Sequence, residues 1–224
     1  TEVGAALAAD GPDPATLLPL WAKLQIRLGA CKIQVSNYAS GEQHLHDGLH
    51  HTALDPERAF ALAYLGFAAS YQGEFTLAHT EWRKSLTISQ QCNDLAGMAH
   101  ALHMLSGGHI ACAEAIDLCS ESLALWRKVG RPDRIAALLN FLGWLQYRIG
   151  DYAEAKVKWQ EGLDLCKQLE LWNEQAWALD CIGFAAWGQG EMAVAEQSIR
   201  DRGHVVHNGY GYLVTRIRAQ HGFF

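Results

Sequence analysis

From Thr16 onward, apolar residues fall every three to four positions, the spacing of one buried helix face. The pattern comes in blocks that repeat. Ala61-Leu-Ala-Tyr-Leu-Gly66 runs on to Gly73-Glu-Phe75 and then to Ala78, Trp82 and Leu86. Leu138-Leu-Asn-Phe-Leu-Gly143 runs on to Gly150-Asp-Tyr152, Ala155, Trp159 and Leu163. Ala178-Leu-Asp-Cys-Ile-Gly183 runs on to Gly190-Glu-Met192, Ala195 and Ile199. A degraded copy follows Ala101-Leu-His-Met-Leu-Ser106 with Ala115, Cys119 and Leu123. In three copies the two glycines are 7 residues apart and the alanine follows 5 later; between Gly143 and Gly183 the period is 40. A fixed period of this size denotes stacked copies of one supersecondary unit.

Each block predicts a pair of antiparallel helices. The second glycine ends the first helix through a left-handed residue, and the acidic residue after it suits the start of the next. The predicted helices are 16–39 with 42–51, 56–72 with 74–91, 94–107 with 111–129, 132–149 with 151–169, and 172–189 with 191–206. Gly41-Glu42 marks the turn of the first pair, and Gly130-Arg-Pro-Asp133 separates two units, with Pro132 in a first helical turn. Residues 1–15 read as a tail or linker, 16–206 as the repeat array, and 207–224 as an incomplete further repeat or a C-terminal segment: adding 40 to Gly183 reaches 223, one residue from Gly222. An array that stops inside a helix lacks a polar cap, which predicts a piece of a longer protein and self-association through the uncapped end.

The repeated small residues let two backbones approach. Gly66, Gly143 and Gly183 face Ala78, Ala155 and Ala195 of the partner helix, and close packing offsets the roughly 1 kcal/mol that a mid-helix glycine costs. Trp82 and Trp159 are predicted to fill space against the first helix of the next unit.

Composition narrows the function classes. The chain has 224 residues, 50% of them hydrophobic, and a net charge of -6. That charge argues against a nucleic-acid footprint. No apolar run reaches the roughly 18–20 residues that span a bilayer, so the chain reads as cytoplasmic. The six cysteines form no C-x-x-C pair and read as reduced thiols. His44, His46, His50 and His51 cluster, with His46 and His50 one turn apart, but no Cys or carboxylate completes a recognised metal spacing. A solvated helix face is one reading of the cluster, and sensitivity between roughly pH 5 and 7 the other. Glu81-Trp-Arg-Lys84 reads as an exposed helix face. There is no G-x-x-x-x-G-K-[ST] and no catalytic motif, so no enzyme, metal or cofactor is expected.

The Leu-Gly, Gly-Asp-Tyr, Ala and Trp register resembles the tetratricopeptide repeat over 16–206. Arg58-Ala-Phe-Ala-Leu-Ala-Tyr-Leu-Gly66 and Gly150-Asp-Tyr-Ala-Glu-Ala155, with the period of 40, are similar to the C-terminal sensor arrays of bacterial signal-transduction ATPases with numerous domains, the MalT-like and AfsR-like regulators. The resemblance implies an all-α, right-handed superhelical solenoid of stacked antiparallel helix pairs. It implies a non-catalytic sensor that binds a protein, peptide or small inducer on its concave face, with the ATPase module outside this chain. A free-standing scaffold that assembles a protein complex is the alternative.

In such repeats the concave face is lined from five positions of each first helix. Carried onto this sequence they are Phe60, Ala63, Phe67, Ser70 and Tyr71; Ala137, Asn140, Trp144, Tyr147 and Arg148; and Trp177, Asp180, Phe184, Trp187 and Gly188, with His100 and His103 in the degraded copy. Aromatics there either anchor a partner, with polar groups to orient it, or pack between neighbouring first helices. The asparagine of a chaperone-tail clamp is replaced by Phe67, Trp144 and Phe184, so that subtype is not implied.

Overall fold

The computed structural model describes residues 14–52, 55–107 and 111–221, with side chains described from 17 to 207 within them. The expected tail 1–15 lies almost wholly outside the described residues. Those described form helices and short turns, with no strand among them. The chain divides into two compact units, Thr1–Ile110 and Ala111–Phe224.

The first unit contains α1 (Pro14–Gln34), α2 (Tyr38–His51), α3 (Asp55–Tyr71), α4 (Phe75–Gln91) and α5 (Leu95–Gly107). Helices α1 and α2 form one hairpin, α3 and α4 another, and α5 packs on α4. The alternate helices α1, α3 and α5 also touch in succession, the mark of stacked pairs. The core between α1, α2 and α3 holds Ile26, Ala30, Ile33, Leu45, Ala61, Tyr64 and Ala68.

The second unit contains α6 (Cys112–Val129), α7 (Pro132–Arg148), α8 (Tyr152–Gln168), α9 (Trp172–Gly188) and α10 (Met192–His221). Here α7 and α8 form a hairpin, α9 and α10 a second, and α7 touches α9 beneath them. Gly73, Gly150 and Gly190 have φ of 85, 87 and 78°. These left-handed glycines close the turns between paired helices as the spacing predicts. Asp151 then caps α8, its carboxylate accepting from the Glu154 N–H at 3.2 Å. Pro132 opens α7, where its missing N–H has no helical partner to lose.

The repeated glycine and tryptophan form one device. The Trp159 indole N–H donates to the Asn140 carbonyl at 3.0 Å, and Trp82 donates to Ala63 at 3.1 Å. In each hairpin that carbonyl lies three residues before the glycine, so the ring lies across the glycine itself. A Cβ on Gly143 would stand 2.6 Å from Trp159 Nε1, and one on Gly66 2.5 Å from Trp82 Nε1. The tryptophan thus packs first on its own hairpin, not solely on the next unit. Trp159 does also reach α9, where it clusters with Ala185, Cys181 and Ile182.

Four expectations are corrected. The first hairpin turns at Ser36 and Asn37, with Ser36 at φ 62°, and Gly41 lies inside α2, where a Cβ would meet Ile33 at 2.5 Å. Gly41 is therefore a close-packing glycine, which looks like a turn glycine in sequence because Glu42 follows it. The last helix does not stop near 206 but runs to His221. Glu81 and Trp82 are buried, and Glu81 pairs with Lys84 at 2.7 Å, so the run 81–84 is only half solvated. The predicted partners 94–107 and 111–129 fall in different units.

Candidate functional site

In the second unit the 3.6-residue period brings Trp177, Phe184 and Trp187 to one face of α9, and Trp144, Tyr147 and Arg148 to one face of α7. Tyr147 is half-buried against the Trp159 cluster, but the other aromatics are not core. Trp144 is 37% exposed, Trp177 41%, Phe184 59% and Trp187 61%. With Tyr147 and Asp180 they wall a concavity of about 620 Å³, which Ala195 and Ile199 of α10 help to close. Phe184 meets Tyr147 edge-on at 6.0 Å and Trp187 at 6.1 Å. The Arg148 guanidinium lies over the Trp144 ring at 4.7 Å, an attraction to the face of the indole. Large, partly exposed rings held by one another are rigid anchors, and desolvating them is what drives recognition.

Asn140 is placed differently from its neighbours. It is 2% exposed, and its amide donates to the Glu174 carbonyl at 3.3 Å. Gln175 reciprocates by donating to the Cys166 carbonyl at 2.9 Å. The position three residues before the repeated glycine therefore packs toward the next hairpin and holds the start of its first helix. Ala63, at the matching place in α3, is buried as well. Asp180, at the matching place in α9, is exposed and accepts from Arg202 of α10 at 2.8 Å. A smaller hollow of about 270 Å³, lined by Ala137, Asn140, Phe141, Asn173, Glu174 and Trp177, adjoins the aromatic concavity through Trp177.

The first unit engages most of its candidates in contacts with one another, though Tyr71 is 65% exposed. Phe60 lies under the Arg27 guanidinium at 3.8 Å and against Tyr64 at 4.8 Å. Arg27 is held by Glu57 at 3.0 Å. Phe67 leans on Tyr71 at 4.8 Å, and Tyr71 stacks on Tyr38 at 5.8 Å. His100 sits 5.6 Å from Tyr64 and 6.2 Å from Phe60, and His103 is half-buried, its carbonyl accepting from Ser106. Among the histidines of α2, His44 pairs with Gln25 at 2.5 Å and His51 with the Trp21 ring at 5.3 Å. No group of three metal-ligating side chains occurs among the described residues.

Sequence reasoning missed Phe141, Glu174, Cys181 and Ile199. Glu174 could have been found, since it precedes Trp177 by one turn on the same helix. Cys181 offers the concavity a thiol, but burial, and then the Asp180 charge, pushes it up to about 12. Burial, and then Glu174, pushes Cys166 up to about 11. Both are protonated near neutrality and poor nucleophiles.

Residues 112–168 match the tetratricopeptide repeat family. These residues span α6 to α8, including the tryptophan–glycine hairpin. The fold is likewise that of solved repeat structures. A signal-transduction ATPase with numerous domains from Pyrococcus horikoshii, bearing a tetratricopeptide repeat sensor, superposes with a TM-score of 0.75 over 84% of this chain at 14% identity. The chain spans 30% of that protein's length. BtubC from P. vanneervenii gives a TM-score of 0.77 at 15% identity, covering 94% of this chain and 88% of that one. A Rap protein complexed with competence and sporulation factor gives 0.73 at 14% identity, covering 88% and 57%. No curated protein matches the sequence. Tetratricopeptide repeats are in general protein-interaction scaffolds, and no catalytic family is identified. No helix among the described residues is long and apolar enough to cross a membrane.

Proposed function

We propose that the second unit is a protein-interaction sensor whose recognition surface is the aromatic concavity on α7 and α9. One observation carries this reading: Trp144, Trp177, Phe184 and Trp187 are exposed together around one hollow. Exposing this much aromatic surface is unfavourable for the free chain, and a bound segment would cover it. Two solved relatives in fold lend support, one bearing a repeat sensor and one complexed with a signalling factor. On this reading the chain is the sensing part of a cytoplasmic signalling ATPase whose nucleotide-binding module lies outside the sequence. Its ligand is a protein, a peptide or a small inducer.

Selection of a displayed random peptide library on the chain tests the surface. Enriched peptides should lose about 1–2 kcal/mol of affinity on Trp144→Ala and on Trp187→Ala, and little on Tyr71→Ala in the first unit. If they bind both second-unit variants normally, this surface is not the site. The coupling is tested in the gene's full product, where a bound peptide should change ATP turnover and Trp187→Ala should remove that change.

A further inference from the structure

Two charged side chains flank the concavity. Arg148 at the last turn of α7 makes no ion pair with any described residue; its guanidinium is engaged only by the Trp144 ring. Asp180, the acidic group nearest the middle, is neutralised by Arg202 at 2.7 Å. Glu174, in the first turn of α9, lines the smaller hollow beside Phe141 and Trp177, and its carboxylate has no cationic partner among the described residues. Helices α7 and α9 are first helices of successive hairpins and run in the same direction. The two charges therefore sit at opposite ends of the aromatic wall: the Glu174 carboxylate at the helix starts, where Asp133 of α7 is already paired with Arg131 and Arg134, and a guanidinium at the helix ends.

By the repeat of 40, Arg148 lies level with Gly188, 14 positions beyond Glu174. At about 1.5 Å per residue that is on the order of 20 Å, the length of roughly six extended residues. Resting on the reading of this surface as a binding site, we infer that its occupant is an extended peptide segment of opposite charge at its two ends. A Lys or Arg side chain enters the hollow beside Glu174 and stacks on Trp177. Apolar or aromatic side chains cover Trp144, Phe184 and Trp187. A carboxylate meets Arg148. Charge complementarity selects this occupant over uniformly acidic or basic segments, since a like charge at either end would be repelled, most strongly at low salt.

Three acetylated, amidated peptides test it by calorimetry at low ionic strength: Lys-Leu-Phe-Phe-Leu-Glu, the same with Lys at both ends, and the same with Glu at both ends. The mixed peptide should bind about fivefold or more tighter than either like-charged one. Arg148→Glu should transfer the preference to the di-lysine peptide, and Glu174→Lys to the di-glutamate peptide. Circular dichroism melts confirm that both variants fold. If all three peptides bind equally and lose affinity together on Trp144→Ala, the surface binds but the charge polarity is overturned. If none binds, or Trp144→Ala changes nothing, the surface itself is refuted as a site and the polarity falls with it.

Discussion

Gly143 and Trp159 act as one residue pair. Adding a methyl at Gly143 would lift the indole from its carbonyl, because the new carbon would stand 2.6 Å from Nε1. Gly143→Ala should therefore cost about 1–3 kcal/mol, read from urea denaturation. Gly203→Ala, in open space within α10, should instead gain roughly 0.5–1 kcal/mol from helix propensity. Equal effects at the two positions would refute the pairing. The cysteines give a pH prediction. Burial holds the Cys166 thiol neutral in the fold, with its ionisation moved from 9.0 to about 11. The unfolded chain then binds fewer protons above 9.0, so this contribution is complete below pH 9.0 and is lost as pH rises toward 11. Cys166→Ala should flatten the alkaline decline of stability across that window. The glycine–tryptophan register was legible in sequence, because size and spacing alone specify it. The indole's hydrogen bond was not, because a backbone acceptor leaves no trace in residue identity.

At the scale of the element, turns differ in how openly they announce themselves. Gly73, Gly150 and Gly190 end helices at positive φ and were readable. Ser36, Asn93 and Glu170 adopt φ of 62, 55 and 55° without glycine, so the turn at Ser36 was misplaced to Gly41. A left-handed conformation costs a non-glycine residue roughly 1–2 kcal/mol. Glu170→Gly should recover about 1 kcal/mol of that in the second unit, checked by the midpoint of thermal unfolding. The candidate site divides along similar lines. The aromatic stripe followed from helical spacing, whereas the burial of Asn140 depends on α9 arriving against it, which no local pattern encodes.

On the scale of the whole molecule, stacked hairpins are stabilised chiefly by their neighbours. Asn140 and Gln175 make reciprocal hydrogen bonds between the α7–α8 hairpin and the start of α9. Replacing both with alanine should loosen α9 and α10 before α7 and α8, seen as a broadened urea transition and early hydrogen exchange in 172–188. A single sharp transition in that double variant would show that apolar contact alone couples the hairpins.

The tryptophans have a consequence for light. Trp82 and Trp159 are buried with their N–H groups satisfied, while Trp144, Trp177 and Trp187 meet water around one hollow. These five tryptophans therefore form two fluorescent populations, an inner one shielded from acrylamide and an outer one open to it. Whatever settles on the aromatic wall should shift the outer emission to the blue and leave the inner unchanged. The protein carries its own indicator dye at the place where a partner would land.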